Sequence, residues 1–110
     1  MNPVKITFDE RVSLWDDATR QDEHGTLYRD DVAPGAAWWM KNDAGVTGLL
    51  LFSCPCGCKA VVHVPVLPGF GSGHWQWNGS LEAPTLKPSI LRTAGCRWHG
   101  YLTEGEFRTC

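Results

Sequence analysis

Three cysteines fall within five residues, Cys54-Pro55-Cys56-Gly57-Cys58, and a fourth, Cys96, is followed three places later by His99. Structural zinc sites draw their thiolate and imidazole ligands in pairs two to four residues apart, because one tight turn must aim two side chains at one tetrahedral centre. Cys54 and Cys58 meet that spacing with three residues between them, and Cys96 and His99 with two. The expected ligand set is therefore Cys54, Cys58, Cys96 and His99, with zinc as the cofactor. Cys56 is the alternative ligand in place of Cys54 or Cys58, but a one-residue separation lies outside the usual range and leaves it a spare thiol. Pro55 fixes φ at the start of the turn and Gly57 admits a positive φ, so the backbone can fold around an ion. Gly95 and Gly100 give the second pair the same freedom.

Disulfides fit the pattern poorly. They need an oxidising compartment, five cysteines leave one unpaired, and neighbours in the 54–58 cluster are too close for unstrained bridges to one another. Cys110 at the terminus is a bystander. Four protein ligands close a zinc site and make it structural, on the order of 10 kcal/mol of folding free energy in zinc-finger peptides, whereas three plus water would make it catalytic. The chain has no His-Glu-x-x-His, and no His-x-Glu precedes the cysteines as it does in zinc deaminases. The site is expected to be structural.

The other histidines carry weaker signals. His63 falls on the outer face of its strand and His24 in a polar lead-in. His74, beside Trp75 and Trp77, is the best functional candidate outside the zinc set. Five of the six tryptophans, Trp38, Trp39, Trp75, Trp77 and Trp98, lie on expected strands, too many to be all core in a chain of 110 residues. Trp75, Trp77 and His74 are therefore expected to form a partner-binding surface, since Trp is enriched at binding hot spots.

These groups must be held by strands. Twelve Gly and seven Pro interrupt the chain too often for long helices, while 43% hydrophobic residues suit a folded domain rather than a disordered chain. Ala36 to Lys41 and Val46 to Ser53 are apolar and aromatic runs joined by Asn42-Asp43-Ala44-Gly45, the chemistry of a hairpin turn. Ala60, Val62, Val64 and Val66 alternate with Val61, His63 and Pro65, the period of a strand with one apolar face. A Gly-rich loop, Gly69 to Gly73, leads into His74 to Asn78, a strand with both indoles on one side. Pro84 and Pro88 predict an extended edge segment, because proline gives no backbone donor. Arg97 to Thr103 and Glu106 to Thr109 flank Glu104-Gly105 as a second hairpin. Lys5 to Phe8 and Arg11 to Trp15 read as short strands or lead-in, and Asp16 to Asp31 as a loop or a single helical turn.

The expected architecture is mainly β, a small antiparallel domain of six or seven short strands stapled by one zinc site. An acidic, polar lead-in over 1–31 packs on or frays from a zinc-binding domain over 32–110. The N-terminus has no apolar core of a signal peptide, and Val46 to Phe52 falls well short of the eighteen or so residues that cross a bilayer. Export and membrane insertion are not expected. Residues 1–58 hold five Lys/Arg against nine Asp/Glu, and 59–110 hold five against three, with no basic run in either half. That balance argues against nucleic acid as a partner, which normally demands clustered cations.

Three segments together resemble a family of small phage and prophage proteins of unknown function whose members often carry the label "ammonia monooxygenase". They are Phe52-Ser53-Cys54-Pro55-Cys56-Gly57-Cys58, then Pro84-Thr85-Leu86-Lys87-Pro88-Ser89-Ile90, then Gly95-Cys96-Arg97-Trp98-His99. The resemblance covers about residues 32–110. It implies a metal site from Cys-Pro-x-Gly-Cys and Cys-x-x-His, which map onto Cys54, Cys58, Cys96 and His99 with Cys56 at the variable position. It also implies a bacterial host cytoplasm, and an occurrence of related domains beside bacterial ubiquitin-like conjugation genes. The oxygenase label finds no membrane span and no copper- or iron-type ligand cluster here. The function expected is a non-enzymatic, zinc-stabilised accessory protein that binds a host or phage protein. The alternative is a zinc-dependent hydrolase of the peptidase or isopeptidase class, with His74, Glu82 or Glu104 assisting an open metal position.

Overall fold

Asn42-Asp43-Ala44-Gly45 turns the chain as its chemistry demands: in the computed structural model Asn42 Oδ1 accepts the amides of Ala44 and Val46 at 3.0 Å each, and Gly45 takes φ 81°. The structure describes residues 3–8, 14, 16–71, 73–92 and 96–110. In chain order the strands are β1 (Val4–Lys5), β2 (Thr7–Phe8), β3 (Arg20–Gln21), β4 (Leu27–Tyr28), β5 (Ala36–Lys41), β6 (Thr47–Ser53), β7 (Ala60–Pro65), β8 (Gln76–Trp77), β9 (Leu86–Leu91), β10 (His99–Thr103) and β11 (Glu106–Thr109). No helix occurs among the described residues, so none is long and apolar enough to cross a membrane.

The fold is all β, as the composition requires. One sheet runs β1-β11-β10-β9-β8 and the other β2-β5-β6-β7-β4-β3. Every pairing is antiparallel except β2 with β5. Of the strands of four or more residues, β5, β6 and β7 are those that the apolar runs and alternation predict, β10 and β11 flank the expected Glu104-Gly105 turn, and β9 takes in the segment read as an extended edge. The remaining five are two-residue pieces: β8 lies within the expected 74–78 strand, β1 and β2 fall at the expected Lys5–Phe8 segment, and β3 and β4 are too short for a periodic pattern to show.

The main core lies between the sheets. Phe52 from β6 packs with Phe107 from β11 at 4.6 Å and edge-on with Trp98 at 6.5 Å between ring centroids. Leu50 and Val64 from one sheet, and Leu86, Ile90 and Leu102 from the other, complete it. Burying each such side chain stabilises the fold by about 1.5–3 kcal/mol relative to exposure. A second cluster, Leu14, Val32, Leu51 and Val61, covers the opposite face of β6 and β7. Strand β6 is thus buried on both faces, which explains its unbroken apolar run Leu49-Leu50-Leu51-Phe52.

Several expectations need correction. Asp16 to Asp31 is not a plain loop: β3 and β4 pair within it and β4 extends the sheet at β7. Arg29 anchors that segment, its buried guanidinium 2.8 Å from Asp16 and 2.6 Å from Asp31. Leu86 and Lys87, between the two prolines, are not at an edge, since there β9 lies between β10 and β8. Between the pairs Leu86↔Leu102 and Ile90↔Gly100, residues 87–89 of β9 face Tyr101 alone. Pro88, reached through a cis peptide bond, sits in that bulge, where its missing donor breaks no ladder.

The described tryptophans all touch one of the two cores. Trp98 is core, Trp39, Trp75 and Trp77 pack partly buried against it, and Trp38 packs on the second cluster. Only Gln76–Trp77 of the expected 74–78 strand is paired, and Arg11 to Trp15, apart from Leu14, lies outside the described residues, as do Ser72 and Gly95.

Candidate functional site

The β6–β7 loop and the β9–β10 loop come together at one end of the two sheets. The first is closed by Cys54 N–H donating to Ala60 C=O at 2.8 Å, and inside it Gly57, at φ 88°, donates to Cys54 C=O at 3.1 Å. Lys59 follows at φ 72°. The second is closed by Arg92 N–H donating to Trp98 C=O at 2.9 Å. These turns aim four thiols at one point: the sulfurs of Cys54, Cys56, Cys58 and Cys96 all lie within 4.8 Å of one another.

Four sulfurs about 2.3 Å from a common ion would stand about 3.8 Å apart. Cys54 Sγ lies 3.3 Å from Cys56 Sγ and 3.4 Å from Cys96 Sγ, so the group matches a tetrahedral thiolate site in size and donor type. Cys54 is buried, Cys58 half-buried, and Cys56 and Cys96 exposed. Burial, reinforced by the neighbouring thiols, pushes the Cys54 thiol well up, and burial raises Cys56 too. At Cys96 burial acts in the same direction, but hydrogen bonds from Cys56, the Trp98 amide, Cys54 and Cys58 outweigh it and bring the thiol down to about 6. Arg92 Nη1 lies 3.1 Å from Cys96 Sγ and 3.5 Å from Cys58 Sγ. One cation thus faces a cluster that needs negative charge to hold a metal.

The structure brings Cys54, Cys58 and Cys96 together as expected, adds Cys56, and leaves His99 out. The reason is strand pleat. Trp98 points into the core, and the next residue, His99, opens β10 with its side chain on the outer face. There its Nε2 lies 2.9 Å from Ser89 Oγ on the neighbouring strand. Ser89 precedes the inward Ile90 and follows the bulge at Pro88, so its hydroxyl is turned to the same outer face.

A serine hydroxyl within hydrogen-bond reach of an imidazole is the arrangement from which nucleophile–base pairs of acyl-transfer enzymes are built. Sequence spacing did not reveal it, because the partners are ten residues apart on different strands. The usable signal was the alternation itself: Ser89 and His99 each adjoin a large apolar residue, Ile90 and Trp98, that takes the inner face.

Of the residues expected to bind a partner, Trp75 and Trp77 are both half-buried against the main core. Trp75 Nε1 donates to Ser89 C=O at 3.4 Å and Trp77 Nε1 to Ser80 C=O at 3.0 Å, while His74 is exposed. Trp75 therefore supports the strand that carries Ser89.

No curated protein and no solved structure matches the chain. Residues 20–110 match a family model described as "Bacterial ubiquitination-like system serine protease (BubE)". A match over that much of the chain places this protein in the BubE family.

Proposed function

We propose that the protein is a serine peptidase acting in a bacterial ubiquitin-like system, with Ser89 as nucleophile and His99 as general base, and that its partner is a polypeptide substrate. The observation that carries this is the 2.9 Å separation of His99 Nε2 and Ser89 Oγ, on an accessible face, in a chain of a family described as serine proteases. His99 takes the hydroxyl proton as Ser89 Oγ bonds to the substrate carbonyl carbon. The carbon–nitrogen bond then breaks, and the same proton passes from His99 to the leaving amine. Water, deprotonated by His99, attacks the resulting ester and restores the free hydroxyl, releasing the acid.

Cys54, Cys56, Cys58 and Cys96 would hold zinc, and a site closed by four thiolates supplies structural support rather than an activated water. Its support is local to the chemistry: Cys96 is in the turn that joins the strand of Ser89 to the strand of His99. This favours a metal-stapled serine enzyme over a zinc-dependent hydrolase or a passive binding scaffold.

A fluorophosphonate probe, which modifies activated serines, tests the assignment. Wild-type protein should be labelled at Ser89 alone, Ser89→Ala should not be labelled, and His99→Ala should react at least about a hundred-fold more slowly. Labelling at another serine, or none at all in the folded, metal-loaded protein, would sink the reading.

A further inference from the structure

Leu91 stands directly opposite His99 in the β9–β10 register and two residues beyond Ser89. Its side chain is 58% exposed, which is unusual for a leucine inside a strand. Its backbone is the more informative part. In an antiparallel pair, residues that exchange hydrogen bonds alternate with residues whose N–H and C=O point away. Arg92 N–H donates to Trp98 C=O, so the Arg92–Trp98 and Ile90–Gly100 pairs face each other across β9 and β10. Leu91 and His99 then turn their backbone groups outward.

For His99 the outward C=O accepts from Cys110 N–H at 3.0 Å. For Leu91 the outward side is the one on which β8 lies, but β8 pairs only with Leu86 and Lys87. Among the described residues no strand covers β9 past Lys87 on that side. Ser89 C=O is taken by the Trp75 indole, and Leu91 is left with an open edge.

Beside that edge runs a groove of about 280 Å³ whose walls are mixed, with Val62, Val64, Trp75, Ile90 and Leu91 as apolar members and His24, His63 and Arg92 as polar ones. An isolated pocket would say little, but Leu91 in the wall of this one stands opposite His99 and two residues beyond Ser89. An unpaired N–H and C=O at a sheet edge are the main-chain half of peptide recognition by strand addition, and a groove for alternate side chains is the other half.

We infer that β9 binds the substrate as an added strand. An extended polypeptide segment pairs with the N–H and C=O of Leu91 and sets an apolar side chain into the groove, which brings a neighbouring peptide bond to Ser89. This rests on the serine peptidase reading. It names the substrate as an unfolded stretch of chain or a tail, bearing an aliphatic residue close to the scissile bond, rather than a folded surface.

The test uses Ser89→Ala protein, which cannot turn over, and two capped hexapeptides. One consists of glycine and serine around a central leucine, and the other has glycine in place of the leucine. Residue-resolved amide exchange should show the Leu91 N–H exchanging freely in the unliganded protein and at least about ten-fold more slowly with the leucine peptide bound. The leucine peptide should bind about ten-fold or more tightly than its counterpart, and Leu91→Ser, a change at an exposed position, should narrow that gap. A Leu91 amide already protected without peptide, equal binding of the two peptides, or no binding of either overturns the inference. Because the readout is binding to an inert variant, its failure is separate from failure of serine labelling in the wild type.

Discussion

Arg92 Nη1 lies 3.1 Å from Cys96 Sγ, which ties the end of the strand carrying Ser89 to the cysteine cluster through a charged hydrogen bond. Hydrogen bonds from outside a metal's own ligands commonly hold ten- to hundred-fold of its affinity. Arg92→Met should therefore retain the fold and the four thiols yet bind zinc about ten-fold or more weakly, as measured by competition with a chelating dye. Unchanged affinity would show that the guanidinium does not act on the thiolates.

The ligand set separates cleanly by metal analysis. Purified wild type should carry one zinc per chain, Cys56→Ser and Cys96→Ser should lose most of it, and His99→Ala should keep it while losing serine labelling. If His99→Ala loses metal and Cys56→Ser keeps it, the imidazole is the fourth ligand and the Ser89–His99 contact is secondary.

Removing the metal exposes thiols of very different reactivity. Cys96 falls to about 6, so its thiolate fraction rises through that pH and is dominant at neutrality. Cys54 is buried and pushed the other way. In chelator-treated protein iodoacetamide should modify Cys96 before Cys54, with a rate midpoint near pH 6 for Cys96, and zinc should protect both. Mass mapping of the alkylated peptides reads the order directly.

Two backbone-adjacent sites predict opposite changes in stability. A methyl group at Gly100 would collide with Arg108 C=O and the Trp98 ring, so Gly100→Ala should lower stability by about 3 kcal/mol and loosen His99 beside it. Ser53 is buried and its Oγ has no hydrogen-bond partner among the described residues. Ser53→Ala should then raise stability by about 1 kcal/mol, roughly 4 °C in Tm for a chain of this size. Thermal denaturation of the two variants beside wild type checks both.

The acidic lead-in gives a pH prediction. Hydrogen bonds from Arg29 and Arg20 hold the carboxyls of Asp31 and Asp30 below their ordinary value. A carboxyl depressed in the folded state contributes stability above its unfolded pKa and loses it as pH falls through the folded one. That contribution should be complete above about pH 4 and decline below it. Arg29→Ala should flatten the acid limb of the stability curve, and an unchanged limb would remove Arg29 as its source.

The long strands were legible in the sequence because each is specified by its own residues: Leu49-Leu50-Leu51-Phe52 is buried whichever way it faces, and Asn42 to Gly45 turns the chain with its own side chain. The cysteine-rich turn was legible for the same reason, since Cys54 to Cys58 must gather wherever Pro55 and Gly57 bend the backbone. What tertiary structure decided were the partners. Cys56 or His99 as the companion of Cys54, Cys58 and Cys96 is a choice between two directions in space, and it fell to the core: Trp98 packs against Phe52 and Phe107, and pleating then sends His99 to the opposite face. The Ser89–His99 contact likewise exists only once β9 lies beside β10 with its bulge at Pro88. Spacing along a chain fixes which residues share a turn, but contact across strands depends on register, and register is set by the packing of the whole sheet.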